Sequence, residues 1–349
     1  MEKKINHKNL KQFISKVLKK AGLDNYSRES VTNGLYEASL RGVDSHGVRL
    51  LYHYVFSALK GRKNPKPNYK FYKSFPALGV LNADNAFGHA AGMKAIDICM
   101  KIANKLGVGI VAVKNSSHPG ALASMALRAA RKNYIVFAFT HADSLMLSHH
   151  GTKPYFGTNP ICFAAPRREK EPFCIDMATS MISWNKLLKL KSQKKNLPNN
   201  LAADAEGKVT KTPSKARSLL AAGSYKGYAL ASMVEVLSGV FTGMNFGQSI
   251  PAMYEFSMNK PRKLGQFYMV IKPNAAVSLN TFLSRMQILT SQVRRQKPRT
   301  KKNKVMVPND PEILNAKIRR NSGIPLDNDT LIKMKNLSKR FNVRLKFLN

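Results

Sequence analysis

The chain has 349 residues, 44% of them hydrophobic, enough to bury a large core in one big domain or two to three smaller lobes. Lys plus Arg number 58 against 19 Asp plus Glu, a formal charge of +39, but the cations are scattered. The densest run, residues 294–304, holds Pro298 and no aromatic platform for bases, so specific nucleic-acid binding is not expected.

Cys99, Cys162 and Cys174 form no Cys-x-x-Cys, which argues against a disulfide scaffold and structural zinc and fits a reducing cytoplasm. The N-terminal residues are polar with no apolar leader, and a cytoplasmic protein is expected.

Leu10, Phe13, Ile14, Val17 and Leu18 recur at helical spacing, and Ala21-Gly22 closes that helix. A second helix is predicted from Ser27 to Arg41-Gly42. Asp44-Ser45-His46 is predicted to open a third, running through Leu59, which places His46, Arg49 and His53 on one face at offsets of three and seven. Gly61, Pro65 and Pro67 mark a linker.

Beyond it the pattern is mixed. Strands are predicted over 77–81, 107–113, 134–140, 161–165, 173–175 and 265–271. Helices are predicted over 90–106, 119–132, 226–243, 278–295, 312–322 and 328–341. The stretch 228–243 is the most membrane-like, but it is short and carries Glu235, so it reads as a buried helix of a soluble protein. The class is α/β or α+β. No Gly-x-Gly-x-x-Gly joins a strand to a helix; Gly107-Val108-Gly109 precedes a strand and lacks the third glycine. A P-loop is also missing, so any nucleotide is bound in another way.

Four polar positions carry candidate chemistry. His46 titrates near neutral pH and can pass a proton to a carbonyl oxygen, and Arg49 can hold a carboxylate by two parallel hydrogen bonds. The alternative is a packed helical histidine. His118 ends a strand before a helix, where backbone N–H groups suit a pyrophosphate, and Asn115, Ser116 and Ser117 add donors; the alternative is a serine-rich cap. Asp176 follows the apolar Phe173-Cys174-Ile175, so it needs a partner. It can orient a histidine, bind a ribose hydroxyl or cap the turn 177–180. Lys226, between Gly223 and Gly227, can meet a phosphate or substrate, or be a plain surface lysine. His149-His150 diverge as neighbours and have no spaced carboxylate, so no metal is expected.

Seven stretches, in order, resemble the malate/L-lactate dehydrogenase family over nearly the full length. They are Asp44-Ser45-His46-Gly47-Val48, residues 115–120, Phe156-Gly157-Thr158-Asn159-Pro160, Ala164-Ala165-Pro166, residues 176–180, Tyr225-Lys226-Gly227-Tyr228 and Val305-Met306-Val307-Pro308.

The resemblance implies a homodimer with a non-Rossmann NAD(P)-binding sheet domain, flanked by N- and C-terminal helical segments. The expected organisation is 1–68 as the N-terminal helical segment with the Ser-His pair, 69–305 as the mixed sheet domain, and 306–349 as C-terminal helices packing back on the N-terminal segment. The activity implied is hydride transfer between NAD or NADP and C2 of a small anionic 2-hydroxy or 2-oxo acid, of the malate, lactate, ureidoglycolate or sulfolactate type.

His46 matches the proton donor of some members and His118 the acid/base of others; both are carried, His46 first, with Ser45 and Asp176 as relay partners. Arg49 and Lys226 are assigned to substrate. Cofactor contacts are expected at His118, Pro119, Gly120, Ala121 and Leu122, over 172–178 including Asp176, Met177 and Ala178, at Tyr225 and Lys226, and at Asn309, Asp310 and Pro311. Leu50 and Tyr52 depart from the family's arginine and proline, and His150 stands where glycine is common. The alternatives are a cyclic imino acid reductase of the same fold and a basic nucleic-acid-binding protein on an inactive scaffold.

Overall fold

The structure, a computed structural model, describes residues 3–169, 171–254 and 257–347. The N-terminal part holds β1 (Lys3–Ile5), α1 (His7–Lys20), α2 (Asn25–Leu40), two 3-10 turns (Asp44–His46 and Val48–Leu50) and α3 (Leu51–Leu59). There follow β2 (Lys70–Phe75), β3 (Leu78–Asn82), α4 (Gly88–Leu106), β4 (Val108–Ser116), α5 (Ala123–Ala130), β5 (Ile135–Thr140), β6 (Met146–Leu147), β7 (Pro154–Phe156), β8 (Ile161–Ala165) and β9 (Phe173–Met177). Next come α6 (Trp184–Ser192), β10 (Ala202–Ala203), β11 (Ser218–Leu219), α7 (Tyr225–Glu235) with a π-helical continuation (Val236–Val240), and β12 (Leu264–Ile271). The chain closes with α8 (Leu279–Arg294), α9 (Asp310–Ser322), β13 (Ile324–Leu326) and α10 (Asn328–Phe341).

A seven-stranded sheet in the order β2-β3-β4-β12-β5-β8-β9 organises the middle of the chain. Only β3 and β4 run parallel, joined by the crossover helix α4; the other neighbours are antiparallel. The fold is therefore a mixed α/β one. Helices α4 and α5 cover one face, their apolar residues packing with Val111, Val113, Val136 and Tyr268. The other face meets α7 and its π continuation, where Val234 packs on Phe139 and Phe267. A smaller sheet, β10-β11-β6-β7, stands beside it.

The second core belongs to the two ends of the chain. Leu10, Phe13, Ile14, Val17 and Leu18 all point inward from α1, which starts on an Asn6 cap and ends with Lys19 and Lys20 against the negative end of its dipole. They pack with residues of α3 and with Met334 and Leu337 of α10, and β1 pairs antiparallel with β13.

Three predicted helices are altered. The helix over 226–243, expected to be buried, turns π-helical from Val236 and leaves Leu230, Met233, Val236, Val240 and Phe241 exposed. The helix from Asp44 does not run on to Leu59: Gly47 is extended (φ −87, ψ −149) and lies so close to Ser39 of α2 that a Cβ there would clash. His46, Arg49 and His53 therefore do not share a helix face. The helix assigned to 119–132 begins only at Ala123, leaving His118, Pro119 and Gly120 as a turn. Glu235 is buried and has the partners that a buried carboxylate needs: it accepts from Asn159 Nδ2 at 2.7 Å and from the Gly247 N–H at 2.6 Å. Among the described residues no helix is long and apolar enough to cross a membrane.

Candidate active site

His46 sits in the 3-10 turn after α2. Its Nδ1 lies 2.9 Å from the Ser45 hydroxyl, and the Ser45 carbonyl accepts a bond from Asn185 Nδ2 at 3.1 Å. The turn is pinned from outside by Arg319 on the Asp44 carboxylate, and its exit by the Val48 N–H on the Ser39 hydroxyl at 2.8 Å.

His118 follows the C-terminal end of β4. Its Nδ1 lies 2.8 Å from the Tyr54 hydroxyl and receives the Gly120 N–H at 3.3 Å. A backbone N–H can only donate, so Nδ1 is an acceptor and the ring proton belongs on Nε2. His118 is thus set as a neutral donor. His46 has more freedom, because the Ser45 hydroxyl both donates and accepts.

The two rings stack with centroids 5.6 Å apart and planes 17° from parallel. Burial pushes His46 down to about 4. Burial, then the neighbouring His46, Lys63, Arg262 and His89, holds His118 well below the ordinary imidazole range. Like charges this close oppose one another, so at most one of the pair is doubly protonated.

The other polar residues of the first turn are engaged elsewhere. Asn115 donates to Asn82 Oδ1 at 3.1 Å, the Ser117 hydroxyl bridges the Ala86 carbonyl and the Gly88 N–H, and Ser116 accepts from Gln266 at 2.8 Å. They tie the end of β4 to β3, to β12 and to the start of α4 instead of facing an anion.

Asp176, on β9, accepts the Ala123 N–H at 2.8 Å, at the positive end of α5. It is bonded there, not to a histidine and not to its own turn, so the relay with His46 does not form. The residue is exposed at the edge of β9, on the wall of the cleft. The surrounding protein walls push it up to about 6, only partly offset by the Ala123 N–H and Arg41.

These groups share one cleft of about 890 Å³, lined among others by Ser45, His46, His118, Gly120, Ala121, Asp176, Met177, Ala178 and Asn309. Asn309 donates to the Pro172 carbonyl at 2.6 Å and accepts from Arg41. Pro119 and Leu122 lie buried behind the wall.

The remaining predicted residues are not brought to the histidines. Arg49 pairs with Asp327 at 3.6 Å, since the break at Gly47 turns it toward α10. Tyr225 and Lys226 are exposed at the start of α7, outside the lining. Asp310 is clasped by Arg294 at 2.7 Å and faces Arg167, with Pro311 beside it in the first turn of α9.

Sequence reasoning missed Tyr54, Asn185 and Tyr254. Tyr254 lines the cleft, donates to Asn185 Oδ1 at 3.2 Å and stands edge-on to His53, centroids 5.4 Å apart. Tyr54 sits in an apolar helical run with nothing local to mark its hydroxyl as functional.

The sequence model of a family described as malate/L-lactate dehydrogenase matches residues 5–335. The ureidoglycolate dehydrogenase (NAD(+)) of Escherichia coli K12 is 32% identical over 326 residues, covering 93% of each chain. A malate dehydrogenase of Pyrococcus abyssi is 30% identical over 342 residues, 95% of this chain and 93% of its own. The crystal structure of malate dehydrogenase from Entamoeba histolytica superposes with a TM-score of 0.93 at 28% identity, covering 99% of this chain and all of that one.

Proposed function

The chain belongs to the malate/L-lactate dehydrogenase family, and from that premise we propose that its cleft moves a hydride between NAD or NADP and C2 of a small 2-hydroxy or 2-oxo acid. The stacked pair His46–His118 carries this reading. Ureidoglycolate, malate, lactate and sulfolactate are the candidate acids.

The residues of the cleft fit a dinucleotide. Its volume is in the range of ligand sites. Gly120 lines the cleft at φ +70, a backbone conformation that its buried neighbour His89 and the turn reserve for glycine. Asp176 has one carboxylate oxygen on Ala123 and one left for a hydroxyl such as that of a ribose. Asn309, Cys174, Met177 and Ala178 line the same cleft. Bound there, NAD or NADP supplies the acceptor or donor of the hydride at C2.

The chain's own residues manage the proton. With its Nδ1 on the Ser45 hydroxyl, His46 presents Nε2 to the cleft. Neutral near pH 7, it takes the hydroxyl proton of a 2-hydroxy acid as C2 becomes a carbonyl carbon. In the reducing direction the substrate carboxylate raises the basicity of His46, and the same atom returns the proton. His118, locked with its proton on Nε2, donates a hydrogen bond to the developing alkoxide.

Arg49 does not line the cleft, but its charge reaches Tyr254 of the cleft wall, and it would serve the substrate carboxylate by exchanging Asp327 for it. The exchange costs little, because a part-exposed pair at 3.6 Å contributes at most about 1 kcal/mol. The assay is absorbance at the reduced-nicotinamide band with a panel of 2-oxo acids, both cofactors and piperideine carboxylate. Turnover confined to the cyclic imine would favour an imino acid reductase, and salt-sensitive RNA or DNA binding with no cofactor affinity would favour the nucleic-acid reading.

The proposed assembly is a homodimer. Tyr225, Leu230, Met233, Val236, Val240 and Phe241 leave an exposed apolar ridge along α7 and its continuation, larger than scattered surface residues account for. Light scattering after size exclusion tests it; a monomer at micromolar concentration would contradict it.

A further inference from the structure

Lys63 is a buried titratable group that the mechanism above leaves unused. It is 2% exposed, yet its amine has no hydrogen-bond partner among the described residues. Instead Nζ sits 3.8 Å from the centroid of the Tyr54 ring and 5.0 Å from that of Phe87. An ammonium so placed is held by ring quadrupoles alone. The Tyr54 hydroxyl at the far end of the same ring bonds His118 Nδ1 at 2.8 Å. Lys63, Tyr54 and His118 therefore form one line from the protein interior to the cleft.

Other charges face this line. Arg62 is fastened to the Met253 and Ser257 carbonyls and Arg262 to Asp143, while His89 meets the Tyr54 ring edge-on at 5.5 Å and His46 stacks on His118. Burial, then the charges of Arg262 and Arg62, hold the Lys63 amine well below its ordinary range.

An amine starts about four units more basic than an imidazole. Burial lowers both from there, and where Lys63 holds its proton, its charge opposes a second proton on the His118 ring across Tyr54.

We propose that Lys63 is a positioning residue: held face-on to Tyr54, it keeps His118 neutral, with Nδ1 open to the Tyr54 hydroxyl and the proton on Nε2. The inference rests on His118 belonging to the acid–base pair. It adds a group that touches neither substrate nor cofactor.

The test is an NMR titration of the His118 imidazole, assigned with His118→Gln, in protein without substrate or cofactor, so the result does not depend on the dehydrogenase reading. Lys63→Met is expected to raise the His118 midpoint by about one unit or more, and Lys63→Arg, which keeps the charge, to hold it near the wild-type value. A folded Lys63→Met protein with an unchanged midpoint overturns the proposal, as does a Lys63→Arg protein whose midpoint rises as far as that of Lys63→Met. Should Lys63→Met not fold, the wild-type titration decides: the proposal stands if the Lys63 amine holds its proton to a higher pH than the His118 imidazole, and falls if the order is reversed. If the midpoint moves but no 2-oxo acid is turned over by the wild type, the positioning role stands and the proposed reaction does not.

Discussion

The Tyr54 hydroxyl lies 2.8 Å from His118 Nδ1, and with the Gly120 N–H on the same nitrogen it fixes which tautomer faces the cleft. A residue of α3, 64 positions earlier in the chain, thus decides what His118 can do. His46, stacked on it, has only an adjustable serine hydroxyl on its own Nδ1. Two histidines with similar rings are thereby given different tasks.

Tyr54→Phe removes one of the two donors to Nδ1 while keeping the ring on which Lys63 rests. The fold is expected to lose about 1 kcal/mol. Turnover should fall about tenfold, and the imidazole should sample both tautomers. Urea unfolding and the ring 15N shifts of His118 check the two halves separately. An unchanged 15N pattern would mean that Gly120 alone sets the tautomer.

Arg49→Ala is expected to raise KM for the 2-oxo acid by about tenfold or more with a smaller change in kcat, since a lost carboxylate grip is mainly lost binding. Asp327→Asn should do the opposite and lower KM, because it frees Arg49 while the side-chain oxygen still caps α10 at the Thr330 N–H. If Arg49→Ala leaves KM untouched, Arg49 serves only to fasten α10.

Acid should weaken the fold. The folded-state midpoint of His46 is about 4 against 6.5 for a free imidazole, so between these values the unfolded chain binds a proton that the folded chain refuses. Stability is then lost as pH falls through that window, and His118, shifted the same way, adds to the loss. Asp176 acts in the opposite sense: raised from 3.8 to about 6, it binds its proton more tightly when folded, so its contribution is lost as pH rises. The histidines outnumber it, and Tm is expected to drop between about pH 6.5 and pH 4, more steeply in Asp176→Asn. A flat Tm over that range would contradict the buried, neutral histidines.

Gly120→Ala places a Cβ on a φ of +70 and into the His89 ring. A cost of about 1–3 kcal/mol is expected in urea unfolding, together with weaker cofactor binding. A variant as stable as wild type would show that the turn and His89 can shift freely.

The sequence was most legible where a period was strong. The apolar stripe of α1 and the run 328–341 of α10 are visible as they stand. The short strands β1 and β13 are not, because three residues cannot show a period and each needs the other to exist. Strand β2 is exposed at every position, so no alternation marks it, and α6 buries only Leu187 among its lysines.

At the site, Ser45-His46 was legible as a pair because both residues come from one turn. A spacing argument that assumes a continuous helix places Arg49 on the face of His46, and the extended Gly47, packed close against Ser39, interrupts that helix. Asp176 was read as needing a partner, which is true, but the partner is an N–H of α5. Tyr54 and Lys63 acquire their meaning only through tertiary packing.

The most direct test of the central claim is steady-state oxidation of the reduced nicotinamide by wild type and His46→Ala with the best 2-oxo acid of the panel. The account predicts wild-type turnover, a loss of about 10²–10⁴ in kcat for His46→Ala, and cofactor affinity nearly unchanged by fluorescence titration. A folded His46→Ala protein that turns over at the wild-type rate would contradict it.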